Sequence, residues 1–299
     1  PGRARVEVGA FLDTHGLSVQ ASKDIAVRGD ERTVTLSVSQ GTIRPTARYW
    51  KLDTKTKTYT LNQGRAPDTS RTVLTLSVVD GSRSPVPNAN VTLTSTARES
   101  SSGHDHTGGK PTGIFQTLQR APLDPATVNT GPSGVMKLYY VASEVSGPVT
   151  ITGTSPNAAR DTVTVSVMVP GLVAMPPGAS YVFTGAIANR HTANHFGTPQ
   201  ALQAFREFAD SVSAWIDEPL GINDISLADG GLFDVGRTSW DIPHGYHRRG
   251  THADIRTKYA TNTVFPGKLQ ARMRALWKVT LGYGEPVDED DHLHLNFYP

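Results

Sequence analysis

The segment Thr72-Val-Leu-Thr-Leu-Ser-Val-Val79 places apolar residues at positions 74, 76 and 78, with small polar residues between them. Side chains on a β-strand point alternately to opposite faces, so this alternation predicts a half-buried strand. The same texture recurs in four more segments: Arg32–Ser39, Val91–Thr96, Val149–Thr152 and Thr162–Val169. Turn-forming sequences separate these segments, at Asp80–Gly81, Pro85–Asn88, Gly131–Gly134 and Ser155–Asn157. Short strands punctuated in this way predict a β-sandwich.

Composition indicates a globular chain of two or three domains, with 299 residues, 37% hydrophobic and 19% charged. The net charge is only +2 and no basic run is present, so nucleic acid is not an expected partner. No apolar stretch approaches the roughly 18 residues that a membrane span needs. The chain starts at Pro1 without a signal-peptide pattern, as a trimmed or mature form would. The absence of cysteine excludes disulfides, thiolate zinc ligands and a cysteine nucleophile.

Around residue 170 the composition and the hydrophobic pattern of the sequence change. Pro170-Gly171 and Pro176-Pro177-Gly178 have the composition of a linker. A helix is then expected to begin with Thr198 as its cap and Pro199 in its first position. A second helix is expected from about Lys268 to Thr280, with short strands between and after the two helices. These features predict an α+β domain of about 110 residues.

Seven of the ten histidines lie at or after position 191, and two local groups have ligand-like spacing. In His247-Arg-Arg-Gly-Thr-His-Ala-Asp254 a glycine permits a tight turn that brings an imidazole and a carboxylate to one point. In Asp290-Asp-His-Leu-His-Leu295 the alternation puts His292 and His294 on one face of a strand. Two histidines and one aspartate suit a zinc site that leaves one tetrahedral position to water.

Several alternatives remain open from the residues alone. His252 shares strand parity with Asp254, so it is a rival of His247 as a metal ligand. His191, His195 and His244 are expected to pack in the core or on the surface more often than to line a cleft. The run His104-Asp105-His106 is interpreted as a flexible polar loop, with weak metal binding as the alternative.

The first half of the chain resembles the bacterial immunoglobulin-like domains of surface proteins. The residues that carry this resemblance are Val78–Gly81, Pro85–Val91, Gly131–Val135 and Gly147–Thr152. The likeness covers about residues 70–170 and is interrupted by a long insertion at roughly 97–130. Residues 1–69 are expected to form another small β module of uncertain type.

The C-terminal third resembles the zinc metallopeptidases that include lysostaphin, the D-alanyl-D-alanine peptidases and the hedgehog zinc domain. It is most similar to the penicillin-insensitive murein endopeptidase type, on Pro243–Ile255 and Asp290–Leu295. The resemblance implies that His247, Asp254 and His294 bind Zn²⁺. It implies metal-assisted hydrolysis, in which zinc activates water and polarises the scissile carbonyl.

The branches of this group disagree about the general base. In one branch the residue near the metal-bound water corresponds to His292, the first histidine of the His-x-His pair. In the dipeptidase branch the base corresponds to Asp291. Strand parity favours His292, with Asp291 as its orienting partner or as the alternative base. Arg248 or Arg249 is the candidate for stabilising the oxyanion or for holding a substrate carboxylate, with a solvated turn as the competing interpretation.

The sequence therefore predicts a multidomain chain in which all-β immunoglobulin-like sandwich modules precede a C-terminal α+β metallopeptidase domain. The expected boundaries are 1–69 for a small β module, 70–170 for the sandwich, 171–190 for a linker and 191–299 for the peptidase. The expected function is a zinc peptidase of peptide cross-links, above all in peptidoglycan, exported to the periplasm, the cell surface or the medium. The alternatives are a non-catalytic binding protein with a structural zinc, and a zinc hydrolase of another amide.

Overall fold

Two five-stranded sheets that share one apolar core form the larger part of this computed structural model. The structure describes residues 3–10, 19–26, 31–46, 49–52, 59–62, 68–98, 101–104, 108–185, 191, 193–234, 240, 246–289 and 292–297. Its strands before residue 170 are β1 Arg3–Ala10, β2 Val19–Ala26, β3 Arg32–Val38, β4 Thr42–Ile43, β5 Tyr49–Leu52, β6 Tyr59–Asn62, β7 Arg71–Val79, β8 Asn90–Ala97, β9 Ile114–Gln116, β10 Thr127–Asn129, β11 Val135–Val141, β12 Gly147–Thr154, β13 Ala158–Ala159 and β14 Asp161–Val167.

The two sandwich sheets have the strand orders β13-β3-β7-β11-β9 and β10-β8-β12-β14-β4. Leu74 and Leu76 of β7 are buried in the same core as Ile151 of β12 and Val165 of β14, so the alternating apolar positions of both sheets face each other. The pairs β1–β2 and β5–β6 form separate two-stranded antiparallel sheets. Because β3 pairs with β7 and β4 with β14, residues 32–43 contribute strands to the sandwich.

A third five-stranded sheet, in the order β16-β18-β19-β21-β20, lies in the C-terminal third. The elements of this part are β15 Val173–Ala174, β16 Tyr181–Phe183, β17 Phe196–Gly197, α1 Pro199–Ile216, β18 Leu220–Asp224, β19 His252–Arg256, α2 Gly267–Ala275, β20 Val287–Glu289 and β21 His292–Asn296. The predicted start of α1 is confirmed: the side chain of Thr198 accepts a hydrogen bond from the amide of Ala201, and Pro199 follows it. α2 continues into a π-helical turn, Leu276–Thr280.

Helix α1 covers one face of this third sheet. Phe205 and Phe208 of the helix share a fully buried core with Ala253, Ile255 and Leu295 of the sheet. Since neighbouring residues of a strand point to opposite faces, this packing turns the even-numbered residues of β19 and β21 away from the helix. Neither helix in the described part of the chain combines the length and apolar character that crossing a bilayer would require.

Hydrogen bonds join the loops next to the third sheet to the sandwich. The amide of Leu232 donates to the carbonyl of Glu144 at 2.8 Å, and the amide of Val169 donates to the carbonyl of Asp229 at 2.9 Å. The hydroxyl of Ser146 donates to the carbonyl of Gly230 at 2.6 Å. Side chains add an ion pair of Arg248 with Glu144, 2.9 Å between Nη1 and Oε2.

The predicted fold class is therefore wrong, because no distinct C-terminal α+β domain is present. Within the described residues the chain is mostly β-sheet, with only the helices α1 and α2. The apolar stripe of α1 and the linker-like composition near 170 suggested an independent unit. Glu144 and Ser146 of the sandwich instead form hydrogen bonds and an ion pair with Gly230, Leu232 and Arg248 of the C-terminal part. The predicted boundaries between modules stay predictions.

The ion pair between Arg248 and Glu144 gives a test of this junction. The two side chains are only 11% and 10% exposed, so Glu144→Ala would leave a guanidinium charge in a poorly hydrated place. We expect the free energy of unfolding to fall by about 3 kcal/mol, measured by urea denaturation. Glu207→Ala, on the exposed face of α1, is the control. An equal, small effect of both substitutions would contradict a structural junction.

Candidate metal site

The site begins with a cross-strand pair. Asp254 of β19 lies opposite His294 of β21 in the antiparallel register, and both face away from α1. Oδ1 of Asp254 is 2.6 Å from Nδ1 of His294. The pairing of two strands with alternating side chains thus brings a carboxylate and an imidazole, distant in sequence, into direct contact.

A turn supplies the third group. His247 lies in the turn before β19, and Gly250 gives this turn a left-handed residue with φ +67°. A Cβ on Gly250 would lie 2.6 Å from Cδ2 of Leu172 and 2.7 Å from Cα of Gly197, so the turn fits only glycine. The ring reaches Asp254, with 3.2 Å between Nε2 of His247 and Oδ1 of the carboxylate.

His247, Asp254 and His294 each offer a ligand atom, and these atoms all lie within 4.8 Å of one another. The residues are 0%, 1% and 2% exposed. In a tetrahedral zinc site with bonds of about 2.0–2.1 Å, ligand atoms lie about 3.3 Å apart, which is close to the separation of Nε2 of His247 from Oδ1 of Asp254. The structure thus brings together the three residues that the motif resemblance implies as zinc ligands.

Hydrogen bonding fixes the tautomer of a neutral His247 ring in the form that can bind a cation. Nδ1–H of His247 donates to the carbonyl of Ile225 at 2.8 Å, and a carbonyl oxygen can only accept. In the neutral ring, Nε2 then directs a lone pair at the Asp254 carboxylate, 3.2 Å away. Two electron-rich atoms at this distance repel each other, whereas a cation between them is attracted by both.

His252 lies behind His294 rather than among the three ligands. Its Nδ1 is 3.0 Å from Nε2 of His294 and 2.8 Å from Oδ1 of Asn296. Burial, reinforced by the neighbouring imidazoles of His294 and His247, lowers the pKa of His252 to about 3. The ring is therefore neutral at physiological pH and supports the orientation of His294 without adding a competing positive charge.

His292 lies beside the cluster and is less deeply buried. Nε2 of its ring is 3.3 Å from Oδ2 of Asp254 and 3.0 Å from Oε2 of Glu289, the residue opposite it on β20. Sequence reasoning did not identify Glu289, and the only signal for it is the acidic run before the His-x-His pair. Asp291, the rival base, lies outside the described residues.

The predicted arginine has another partner. The guanidinium of Arg248 forms the ion pair with Glu144 of the sandwich described above. This contact gives Arg248 a structural role at the junction, and its predicted role in the chemistry stays a prediction.

Tyr246 is a second feature that sequence reasoning missed: it is 63% exposed, and its ring centroid lies 5.2 Å from that of His294. It provides an accessible aromatic surface beside the buried ligands.

A second group of metal-ligand type was not predicted. His104, His191 and Asp234 are buried, and their ligand atoms also lie within 4.8 Å of one another. Burial lowers the pKa of His104, against an opposite effect of Asp234. The sequence interpretation put His104 in a flexible loop and His191 in packing, whereas the structure brings both to Asp234; Asp105 and His106 lie outside the described residues.

The remaining histidines have other positions. His195 packs its ring on Phe183, with 4.1 Å between centroids, and its Nε2 faces the carbonyl of Ile222 at 3.2 Å. This is the packing role expected for it. His244 lies outside the described residues.

No family model and no curated protein matches the sequence. Among solved structures the chain is similar to the adhesin InvE of Yersinia pseudotuberculosis, at 10% identity and a TM-score of 0.33, over 97% of this chain and 54% of that one. It is also similar to a glycosyl hydrolase family 2 member from Bacteroides cellulosilyticus, at 10% identity and a TM-score of 0.29, over 55% of this chain. The chain spans 18% of that hydrolase's length. Neither likeness bears on what the chain does.

The glycine turn gives a direct test of how the site is positioned. Gly250→Ala would place a methyl group against Leu172 and Gly197 in a left-handed conformation, so we expect His247 to move and zinc affinity to fall at least about tenfold. Competition with a chromophoric zinc chelator measures the affinity. Gly267→Ala is the matched control, because a Cβ there meets nothing within 4 Å. Unchanged affinity in Gly250→Ala would show that the turn does not position a ligand.

Proposed function

We propose that this chain is a zinc-dependent peptidase whose metal is held by His247, Asp254 and His294. The observation that supports this most strongly is the position of His247, whose Nδ1 is held by the carbonyl of Ile225 while its Nε2 lies 3.2 Å from Oδ1 of Asp254. A buried site of two imidazoles and one carboxylate has the donor set of catalytic zinc, with one tetrahedral position left for a reactant. The choice of a peptide bond as substrate comes from the resemblance of the motif.

Zinc bound there supplies Lewis acidity, which makes water nucleophilic near neutral pH and polarises the scissile carbonyl. The chain's own residues hold the ligand groups in position. Ile225 fixes the tautomer of His247, and the pairing of β19 with β21 sets the distance between Asp254 and His294. His252 and Asn296 support His294 from behind.

His292 is the proposed general base. It takes a proton from the attacking water, and the Glu289 carboxylate, 3.0 Å from Nε2, stabilises the positive charge of the protonated ring. His292 then passes this proton to the amine that leaves. Glu289 holds the ring in orientation, a role that sequence reasoning had considered for Asp291.

Substrate reaches the site on the side of Tyr246 and His292. Tyr246 is exposed and its ring lies against those of His252 and His294, so a substrate chain can stack on it. The proposed substrate class is the peptide cross-link of peptidoglycan, with the β-sandwich positioning the site at a wall outside the cytoplasm.

A non-catalytic binding protein with a structural zinc is the second candidate. The burial of all three ligands favours it, because structural zinc sites are closed to solvent. The partly exposed ring of His292 beside the cluster, with its Glu289 partner, favours the enzyme. Zinc content and turnover, measured on the same preparations, separate the two.

Removal of one ligand tests metal binding and activity together. We expect His294→Ala to lower zinc content by one equivalent per chain, and to abolish peptide release from purified murein. Zinc is measured by mass spectrometry on protein purified without added metal. His195→Asn, which removes a buried histidine outside the cluster, should retain both. Bound zinc without peptide release in the wild type would favour the structural alternative, and equal zinc content in His294→Ala would refute the site.

Substitution of the proposed base should separate chemistry from metal binding. We expect His292→Ala to keep its zinc but to lose a factor of about 10²–10⁴ in kcat, with Glu289→Gln losing about tenfold. Retained zinc with a lower kcat would place the effect on the chemistry, whereas loss of zinc would indicate a structural change. Glu207→Gln on exposed α1 is the control for Glu289. Wild-type kcat in His292→Ala would exclude this residue as the base.

A further inference from the structure

The second cluster has a more regular geometry than the first. Nδ1 of His104 is 3.2 Å from Oδ1 of Asp234, and Nε2 of His191 is 3.2 Å from the same oxygen. The third side of the triangle, from Nε2 of His191 to Nδ1 of His104, is 3.3 Å. Three ligand atoms from distant parts of the chain thus form a nearly equilateral triangle in the interior.

Hydrogen bonds leave one side of this triangle without an attractive contact. Each of the two ring nitrogens carries at most one proton, and the carboxylate oxygen only accepts. If both nitrogens are protonated, both donate to Oδ1 of Asp234, and the two nitrogens lie 3.3 Å apart without a bond between them. If one is not, its lone pair faces the carboxylate at 3.2 Å. A cation near the centre, bound to two unprotonated nitrogens, is attracted by all three atoms.

The dimensions favour a tetrahedral ion. Ligands bound at about 2.0–2.1 Å lie about 3.3–3.4 Å apart around a tetrahedral metal and about 2.9–3.0 Å apart around an octahedral one. The observed edges of 3.2, 3.2 and 3.3 Å match the tetrahedral case better. Two imidazoles and one carboxylate suit zinc, whereas calcium and magnesium prefer oxygen ligands.

The three residues come from separate parts of the fold. His104 ends the 101–104 loop, which follows β8 of the sandwich, while His191 and Asp234 belong to the C-terminal part. Gly103 lets this loop approach closely, because its φ is +94° and a Cβ there would lie 3.1 Å from Cβ of Leu227. The ring of Trp240 lies 4.8 Å from that of His104 and covers it.

A single buried ring lies between the two clusters. The centroid of Phe233 is 5.2 Å from that of His191 and 6.2 Å from that of His247. Phe233 also directly precedes Asp234 in the chain. An ion that fixes Asp234 would therefore fix the wall against which His247 packs.

We propose that His104, His191 and Asp234 form a second zinc site, which fastens the 101–104 loop to the C-terminal part of the chain. All three ligands are at most 1% exposed, so the site is structural, and Phe233 is its contact with the first cluster. It does not depend on the proposed peptidase activity, because the two clusters share no ligand.

Zinc stoichiometry in ligand variants of each cluster tests this proposal. We expect about two zinc ions per full-length chain in the wild type, about one in His294→Ala and in His104→Ala, and none in the double variant. His195→Asn, a buried histidine in neither cluster, should keep about two. His104→Ala should also lose several degrees of thermal stability, and chelator should then have less effect on its melting temperature than on that of the wild type.

The variant His294→Ala decides the question even if His104→Ala does not fold. It keeps one zinc equivalent if the second site exists, and it keeps none if His104, His191 and Asp234 are only hydrogen-bonded, which would overturn the proposal. Cobalt bound to the same variant should give the intense visible absorption of a tetrahedral site, whereas a weak octahedral spectrum would contradict the zinc assignment. Loss of zinc in His294→Ala but not in His104→Ala would leave the peptidase proposal standing alone.

Discussion

The antiparallel pairing of β19 with β21 is the constraint on which the candidate site depends. It places Asp254 opposite His294, and the same alternation that buries Ala253 and Leu295 against α1 turns the two ligands to the other face. A shift of register by one residue would exchange the two faces, and would put the ligands into the apolar core. The core around α1 therefore specifies the geometry of the metal site, although no residue of α1 belongs to it.

Local patterns predicted the residues that lie in one turn or on one strand. The glycine turn between His247 and Asp254 and the alternation around His294 are visible in the sequence, because both depend on neighbours in the chain. Glu289 contacts His292 through the β20–β21 pairing, and its only signal in the sequence is that it lies in an acidic run. The cluster at Asp234 leaves an even weaker signal in the sequence, because His104 and His191 are 87 residues apart and meet only in the folded chain. Periodicity reports which side of an element is buried, and it does not report which distant element packs there.

The fold class was mispredicted for a related reason. A strong helical stripe after a proline-rich segment is typical of a new domain, but the hydrogen bonds of Val169, Ser146 and Leu232 cross from the sandwich into the C-terminal part. The ion pair of Arg248 with Glu144 lies along this contact between the sandwich and the C-terminal part. The metal that we propose at His104 would lie along it as well. The sandwich is thus part of the support of the site, and Glu144 is its partner for Arg248.

Anomalous X-ray diffraction at the zinc absorption edge, on crystals of protein purified without added metal, tests the central claim most directly. A zinc ion bound as proposed should give a strong peak about 2.0–2.1 Å from Nε2 of His247 and Nδ1 of His294, in contact with a carboxylate oxygen of Asp254. The absence of any peak between these three residues, with their side chains ordered and hydrogen-bonded to one another, would contradict a zinc site and with it the proposed enzyme.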